Sequence, residues 1–212
     1  KKLFEANNLE WPFTKDDVPL SDKERFQPVF TEAQVNQLIL AQATLNDAER
    51  FYLAVSTTFG CRREELARIK KRDFDTESII IRTAKHGLLR KHLIPGPLKL
   101  IYAEYNPKGF VSRSGLSKMF GRICDKAKIE VVDGYGWHSV RRCLDTLADY
   151  FLAKNDLPPG LWADYVGWAK TTRGVRFTGA AMAGVYSHSE IMSDDPFRID
   201  KLIYPFHPFL KT

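Results

Sequence analysis

The chain is poor in the residues that would commit it to several common chemistries. Cysteine occurs three times in 212 residues, at Cys61, Cys124 and Cys143. The three lie far apart, without the paired Cys or Cys/His spacing of a structural zinc site, so no metal is expected. An odd count in a chain of this size points to reduced thiols rather than a disulfide framework. No stretch approaches the roughly 20 consecutive apolar residues that span a bilayer. A secretory signal pattern is absent, as are internal repeats and low-complexity tracts. Acidic residues fall short of basic ones, with 26 Asp and Glu against 32 Lys and Arg, which leaves a net charge of +6.

Among the residues that are present, 44% are hydrophobic and 27% charged, which fits one large domain with at most a short appendage. The basic excess is compatible with a nucleic-acid partner, and its distribution says more than its total. Residues 61–92 carry ten Lys and Arg against five Asp and Glu, whereas residues 1–30 carry five against six. Residues 1–28 are polar and broken by Pro12, Pro19 and Pro28. They read as a linker or arm with Leu3, Phe4, Trp11 and Phe13 as anchors, and a first residue other than Met suggests a piece of a longer protein. The main domain is expected over 29–194 and a C-terminal tail over 195–212.

Most of the chain carries helical signals. Thr31 and Gln34 form a capping box, and the helix they open is expected to reach about Ala43. Asn46, with Asp47 and Glu49 behind it, starts a second helix that should stop near Gly60. A third is expected from Arg63 to Lys70. Two β-type runs follow, Ser78–Thr83 and Leu89–Ile94, with Lys85-His86-Gly87 at the turn between them, and Arg72–Phe74 is a candidate third strand. Helices are then expected from Pro97 to Tyr105, from Ser114 to Lys128 with its cap at Ser114–Ser117, and from about Ser139 onward, where Ser139 is the preferred N-cap. Further helices are expected after Pro158-Pro159, over Gly179–His188, and after the Asp195-Pro196 start signal. The fold class read from this pattern is mainly α with a small antiparallel β-sheet.

Several side chains have the chemistry for work on a phosphate. His138 and Arg141 lie three apart, so on a helix they share a face. An Arg fork binds phosphate oxygens, and a His beside it can give or take a proton. Arg62 opens the third helix, and the plain reading is a solvated arginine. Lys85 sits on the hairpin turn, where a flexible ammonium can reach into a groove or simply face water. Trp168 follows Gly167, and its indole N–H can donate to a ligand or serve only the core. Tyr186 offers a phenolic oxygen as a nucleophile, or is a half-buried helix tyrosine. Residues 169–178 are basic, so Lys170, Arg173 and Arg176 are candidate contacts to a nucleic-acid backbone or a solvated loop.

The order of these elements resembles the tyrosine recombinase (phage integrase) family over about residues 29–190. Gly60-Cys61-Arg62-Arg63-Glu64-Glu65-Leu66 is similar to the family's first arginine motif, Lys85 to its β-hairpin lysine, His138-x-x-Arg141 to its second motif, Gly167-Trp168 to its histidine-or-tryptophan position, and Tyr186-Ser187-His188 to the nucleophile segment. The resemblance implies that Tyr186 attacks a DNA phosphate to give a 3′-phosphotyrosyl bond. Arg62 and Arg141 would hold the non-bridging oxygens, Lys85 would protonate the leaving 5′-oxygen, and His138 would assist proton transfer. Trp168 would donate a hydrogen bond, and Glu65 would orient its neighbours. No metal, nucleotide or other cofactor is implied, because the phosphotyrosine conserves the bond energy for rejoining. The implied partner is double-stranded DNA, bound by a tetramer of the whole protein, in the nucleoid-containing cytoplasm of a prokaryote or the nucleus of a eukaryote. The family's N-terminal DNA-clamping domain would precede residue 1, and the tail helix could dock on a neighbouring protomer or equally fold back in cis. The spacing from Trp168 to Tyr186 is longer than the family's usual gap. A type IB topoisomerase and a DNA-binding module with decayed catalysis stay open as alternatives.

Overall fold

A computed structural model of the chain describes residues 6–8, 28–83, 89–105, 111–158, 160–167, 195 and 197–206. Helix α1 (Glu32–Leu40) starts as its sequence dictates. The Thr31 hydroxyl accepts the Gln34 backbone N–H at 3.2 Å, and Gln34 Oε1 accepts the Thr31 N–H at 2.9 Å. The expected extension to Ala43 tightens instead into a 3₁₀ turn, Ala41–Thr44. Helix α2 (Asp47–Phe59) is capped by Asn46 and ends at Gly60, whose φ of +57° is left-handed. Glu49 in its first turn is buried, yet bridges to Arg122 at 3.0 Å and Lys126 at 2.7 Å, tying α2 to a helix far along the chain.

Helix α3 covers only Arg63–Leu66, rather than continuing to Lys70. The Asp73 carboxylate accepts the Lys70 backbone N–H at 2.8 Å and starts a new 3₁₀ turn over Lys71–Asp73. That turn replaces the third strand expected at Arg72–Phe74, which survives as one bridge from Phe74 to Ile79. Strands β1 (Ser78–Arg82) and β2 (Leu89–Leu93) pair antiparallel, with Ser78 opposite Leu93 and Arg82 opposite Leu89. Helix α4 (Gly96–Glu104) lies against α2, where Phe51 meets Tyr102 and Tyr105. The N-cap of α5 (Arg113–Lys126) is Ser112, two residues before the expected cap, and its hydroxyl accepts the Gly115 N–H at 3.0 Å.

Helix α6 (Trp137–Lys154) also starts earlier than expected. Ser139 lies inside the first turn, and its hydroxyl accepts the Gly136 N–H at 3.3 Å. Trp137 fixes this start: it is buried and its Nε1 donates to the Leu116 carbonyl at 2.9 Å. Helix α7 (Gly160–Tyr165) packs on α6, with Trp162 Nε1 donating to Asp145 at 2.6 Å. Asp195 accepts the Phe197 N–H at 3.0 Å before α8 (Arg198–Ile203), which runs into a 3₁₀ turn at Tyr204–Phe206. Ile203 and Phe206 are buried, and the Phe206 ring centroid is 5.5 Å from both Phe151 and Trp162 of the same chain. Among the described residues no helix is long and apolar enough to cross a membrane. The architecture is mainly α with one small antiparallel sheet, the class read from the sequence.

Candidate active site

Four of the sequence-selected residues come together where the loop after α2, helix α3 and the start of α6 meet. Arg62 is the N-cap of α3, so its side chain and the first turn face the same way. Glu65, three residues on, reaches back. Its Oε2 accepts the Arg62 backbone N–H at 2.8 Å, and its Oε1 meets the Arg62 guanidinium at 3.0 Å. Glu65 is fully buried, so this carboxylate is part of the frame rather than a solvent-facing charge. Arg141 arrives from α6. It is 3% exposed, its Nη1 lies 3.9 Å from Glu65 Oε2, and the same nitrogen donates to the Gly60 carbonyl. The left-handed turn at Gly60 is what aims that carbonyl at α6.

Arg141 Nη2 is buried and has no hydrogen-bond partner among the described residues. A guanidinium rarely accepts that cost unless something else supplies the acceptor. Its charge is under strain as well. Burial, and then the charges of Arg62 and Arg90, lower its pKa to about 10, against the opposing pull of Asp145 and Glu65. The local sum is two carboxylates, Glu65 and Asp145, against the three guanidiniums of Arg62, Arg90 and Arg141, a surplus that an anion would neutralise.

His138 sits on the second residue of α6, one turn before Arg141, and part of it is open to solvent. Loss of hydration against its neighbours, and then the fields of Arg141, Arg142 and Arg62, hold its pKa below the usual histidine value. The ring is therefore neutral at pH 7 and free to accept a proton. His138 and Arg62 open into a groove of about 640 Å³ lined also by Arg63, Arg68, Arg113 and Ser117. The cationic lining extends beyond the residues that the sequence motifs single out.

Arg90 is a further residue that sequence reasoning missed. It lies on β2 and its Nη2 is 3.3 Å from Glu65 Oε2. The available signal was alternation: in Leu89-Arg90-Lys91-His92-Leu93, the inward positions opposite Ile81 and Ile79 are Arg90 and His92. Lys85, Trp168 and Tyr186 lie outside the described residues, as do Lys170, Arg173 and Arg176. Other nucleophiles near the cluster are held inert. Burial pushes the Cys61 thiol up to about 12, and Tyr165 is buried with its hydroxyl donating to the Thr58 carbonyl at 2.6 Å. Among the described residues no group of three or more His, Cys, Asp or Glu is arranged to hold a metal ion.

No protein-family model and no curated protein matches the chain. Solved structures do. The chain superposes on XerA recombinase with a TM-score of 0.54 at 18% identity, covering 88% of this chain and 71% of that one. The XerH site-specific recombinase, bound to difH substrate in a pre-cleavage complex, gives 0.51 at 16% identity, with 79% and 53% covered. The integrase from mycobacterium phage Brujita gives 0.57 at 15% identity, with 95% and 61% covered. At these identities the likeness is one of fold, and the chain spans between 53% and 71% of the length of these three structures.

Proposed function

We propose that this chain is the strand-breaking and rejoining domain of a site-specific DNA recombinase of the tyrosine type. The observation that carries the reading is the buried Nη2 of Arg141, without a partner among the described residues, at a carboxylate shared with Arg62, which itself lines an arginine-rich groove. A phosphodiester supplies what this arrangement lacks: acceptor oxygens with a delocalised negative charge, matched to guanidinium forks. The recombinase and integrase folds that the chain resembles support the same assignment.

In the proposed reaction the Tyr186 oxygen attacks the phosphorus in line, and its proton passes to the neutral His138. Negative charge grows on the two non-bridging oxygens, which Arg62 and Arg141 are assigned to hold. The bond to the 5′-oxygen breaks, and Lys85 gives that oxygen its proton. The products are a 3′-phosphotyrosyl bond and a free 5′-hydroxyl. Attack by a 5′-hydroxyl reverses the steps and rejoins the strand, so no nucleotide is consumed. Trp168 is assigned a hydrogen bond to the phosphate, and Glu65 the orientation of both arginines. Double-stranded DNA is the proposed substrate, bound by a tetramer in the whole assembly.

The test is a covalent adduct. The protein is incubated with a pool of nicked duplexes of randomised sequence, in which the cleaved fragment diffuses away and traps the intermediate. A denaturation-resistant protein–DNA species that disappears in Tyr186→Phe is the expected result. Failure to form one rejects the proposal in favour of a DNA-binding module, and an adduct that survives Tyr186→Phe rejects the nucleophile. Relaxed plasmid without recombinant product would assign the chemistry to a topoisomerase instead.

A further inference from the structure

Among the described residues three guanidiniums converge on Glu65, and Arg90 is the one without a part in the chemistry proposed above. It nonetheless makes more contacts than the other two, although its Nε has no partner among the described residues. Its side chain is 3% exposed. Its Nη1 donates to the carbonyls of Phe59 and Tyr165, both at 2.9 Å, which are the last residues of α2 and α7. The same nitrogen lies 3.4 Å from His92 Nε2, and His92 Nδ1 is 2.8 Å from Asp200 Oδ1 on α8. Room for the arginine stem comes from Gly167. A Cβ at that left-handed position would stand 2.6 Å from Arg90 Cδ.

We propose that Arg90 is a positioning residue for the Arg62–Arg141 pair: it fixes Glu65, and Asp200 of the C-terminal helix fixes Arg90 through His92. The inference rests on the function proposed above. Its physical basis is competition for one carboxylate oxygen. Glu65 Oε2 already accepts the Arg62 N–H at 2.8 Å, with Arg90 at 3.3 Å and Arg141 at 3.9 Å. While Arg90 occupies that oxygen, Arg141 stays at a distance with Nη2 free for another acceptor. Without Arg90 the carboxylate draws Arg141 into a direct ion pair and moves its Nη2 from its present position. The contact between Asp200 and His92 makes the seating of α8 part of the same frame.

The experiment compares adduct formation by Arg90→Met, Arg90→Lys and the near-isosteric Asp200→Asn with the unsubstituted protein. At saturating DNA, Arg90→Met should slow the reaction about 10- to 100-fold, the range expected when a reacting group is misplaced by about an ångström. Half-saturation in DNA should move far less, and Arg90→Lys should recover part of the rate. The decisive readout is non-additivity. In a Glu65→Gln background, Asp200→Asn should lose most of its effect on rate; effects that simply multiply would overturn the relay. The same pair of substitutions read by melting temperature needs no DNA, and shifts that add there overturn it as well. Absence of any adduct from the unsubstituted protein sinks the proposed function, while the melting cycle still decides whether Asp200 and Glu65 are coupled.

Discussion

The two strands of the hairpin meet the same core with opposite chemistry. β1 turns Ile79 and Ile81 inward, and both are fully buried. β2 turns His92 and Arg90 inward at the paired positions, each 4% exposed, and leaves Leu89 68% exposed. Period-two geometry puts paired residues on one face, so the inversion is not a register slip. β1 gains from removing apolar surface from water. β2 must offset the desolvation of a guanidinium, and does so with two carbonyls and Glu65. The contrast teaches where the fold spends stability on position: the apolar strand holds the sheet down, and the charged strand holds the arginine cluster in place.

The comparison breaks most visibly when the charged side loses its carboxylate. Glu65→Leu takes from the buried Arg90 and Arg141 the carboxylate they share, and urea unfolding should show a loss of about 3–5 kcal/mol. A loss within experimental scatter would mean that water already solvates the arginines. On the apolar side, Ile81→Ala should cost about 2–5 kcal/mol through lost burial and a cavity, without the non-additivity expected around Glu65.

A smaller effect separates the strands by pH. Burial, and then the Arg90 charge, hold the His92 pKa below 6.5, although the hydrogen bond with Asp200 opposes them. Because the folded value is the lower one, the unfolded chain binds the proton first as pH falls. Stability is complete above about pH 6.5 and is lost as pH drops from there toward the depressed folded value. Melting temperatures of His92→Gln should fall less steeply across that window, though not become flat, because His138 shifts in the same direction. The smallest effect belongs to the outward face. Leu89→Lys should leave stability within about 0.5 kcal/mol, the usual range for an exposed position.

The starts of α1 and α2 were legible because they depend on neighbours in sequence. Thr31 with Gln34 and Asn46 with Glu49 need no tertiary information, and the stop at Gly60 follows from a backbone that only glycine adopts cheaply. The misplaced boundaries have tertiary or competing local causes. Trp137 extends α6 past Ser139 because its indole N–H has a carbonyl to reach on α5. Asp73 takes the Lys70 N–H and ends the run that residues 63–70 would otherwise have continued as helix. In the site, His138 and Arg141 were visible as a pair three residues apart, whereas Arg62 and Glu65 stood out as a set only through the resemblance of Gly60–Leu66 to the family's first arginine motif. Arg90 was not, because in sequence it is one basic residue in a basic stretch, and only the pairing of β2 with Ile81 turns it inward. The groove residues Arg68 and Arg113 were hidden for a similar reason, since they come from separate elements brought together by packing.

The central claim is that Arg141 serves the charge of a DNA phosphate. It is tested most directly by removing that charge from the substrate. Adduct formation by Arg141→Ala is measured on a nicked duplex with the ordinary scissile phosphate and on the same duplex with an uncharged methylphosphonate there. The account predicts a rate loss of about 10²–10³-fold on the phosphate, the scale of a lost preorganised donor. The difference between variant and unsubstituted protein should nearly close on the methylphosphonate. An equally large deficit on both substrates would contradict the account and leave Arg141 as a structural residue.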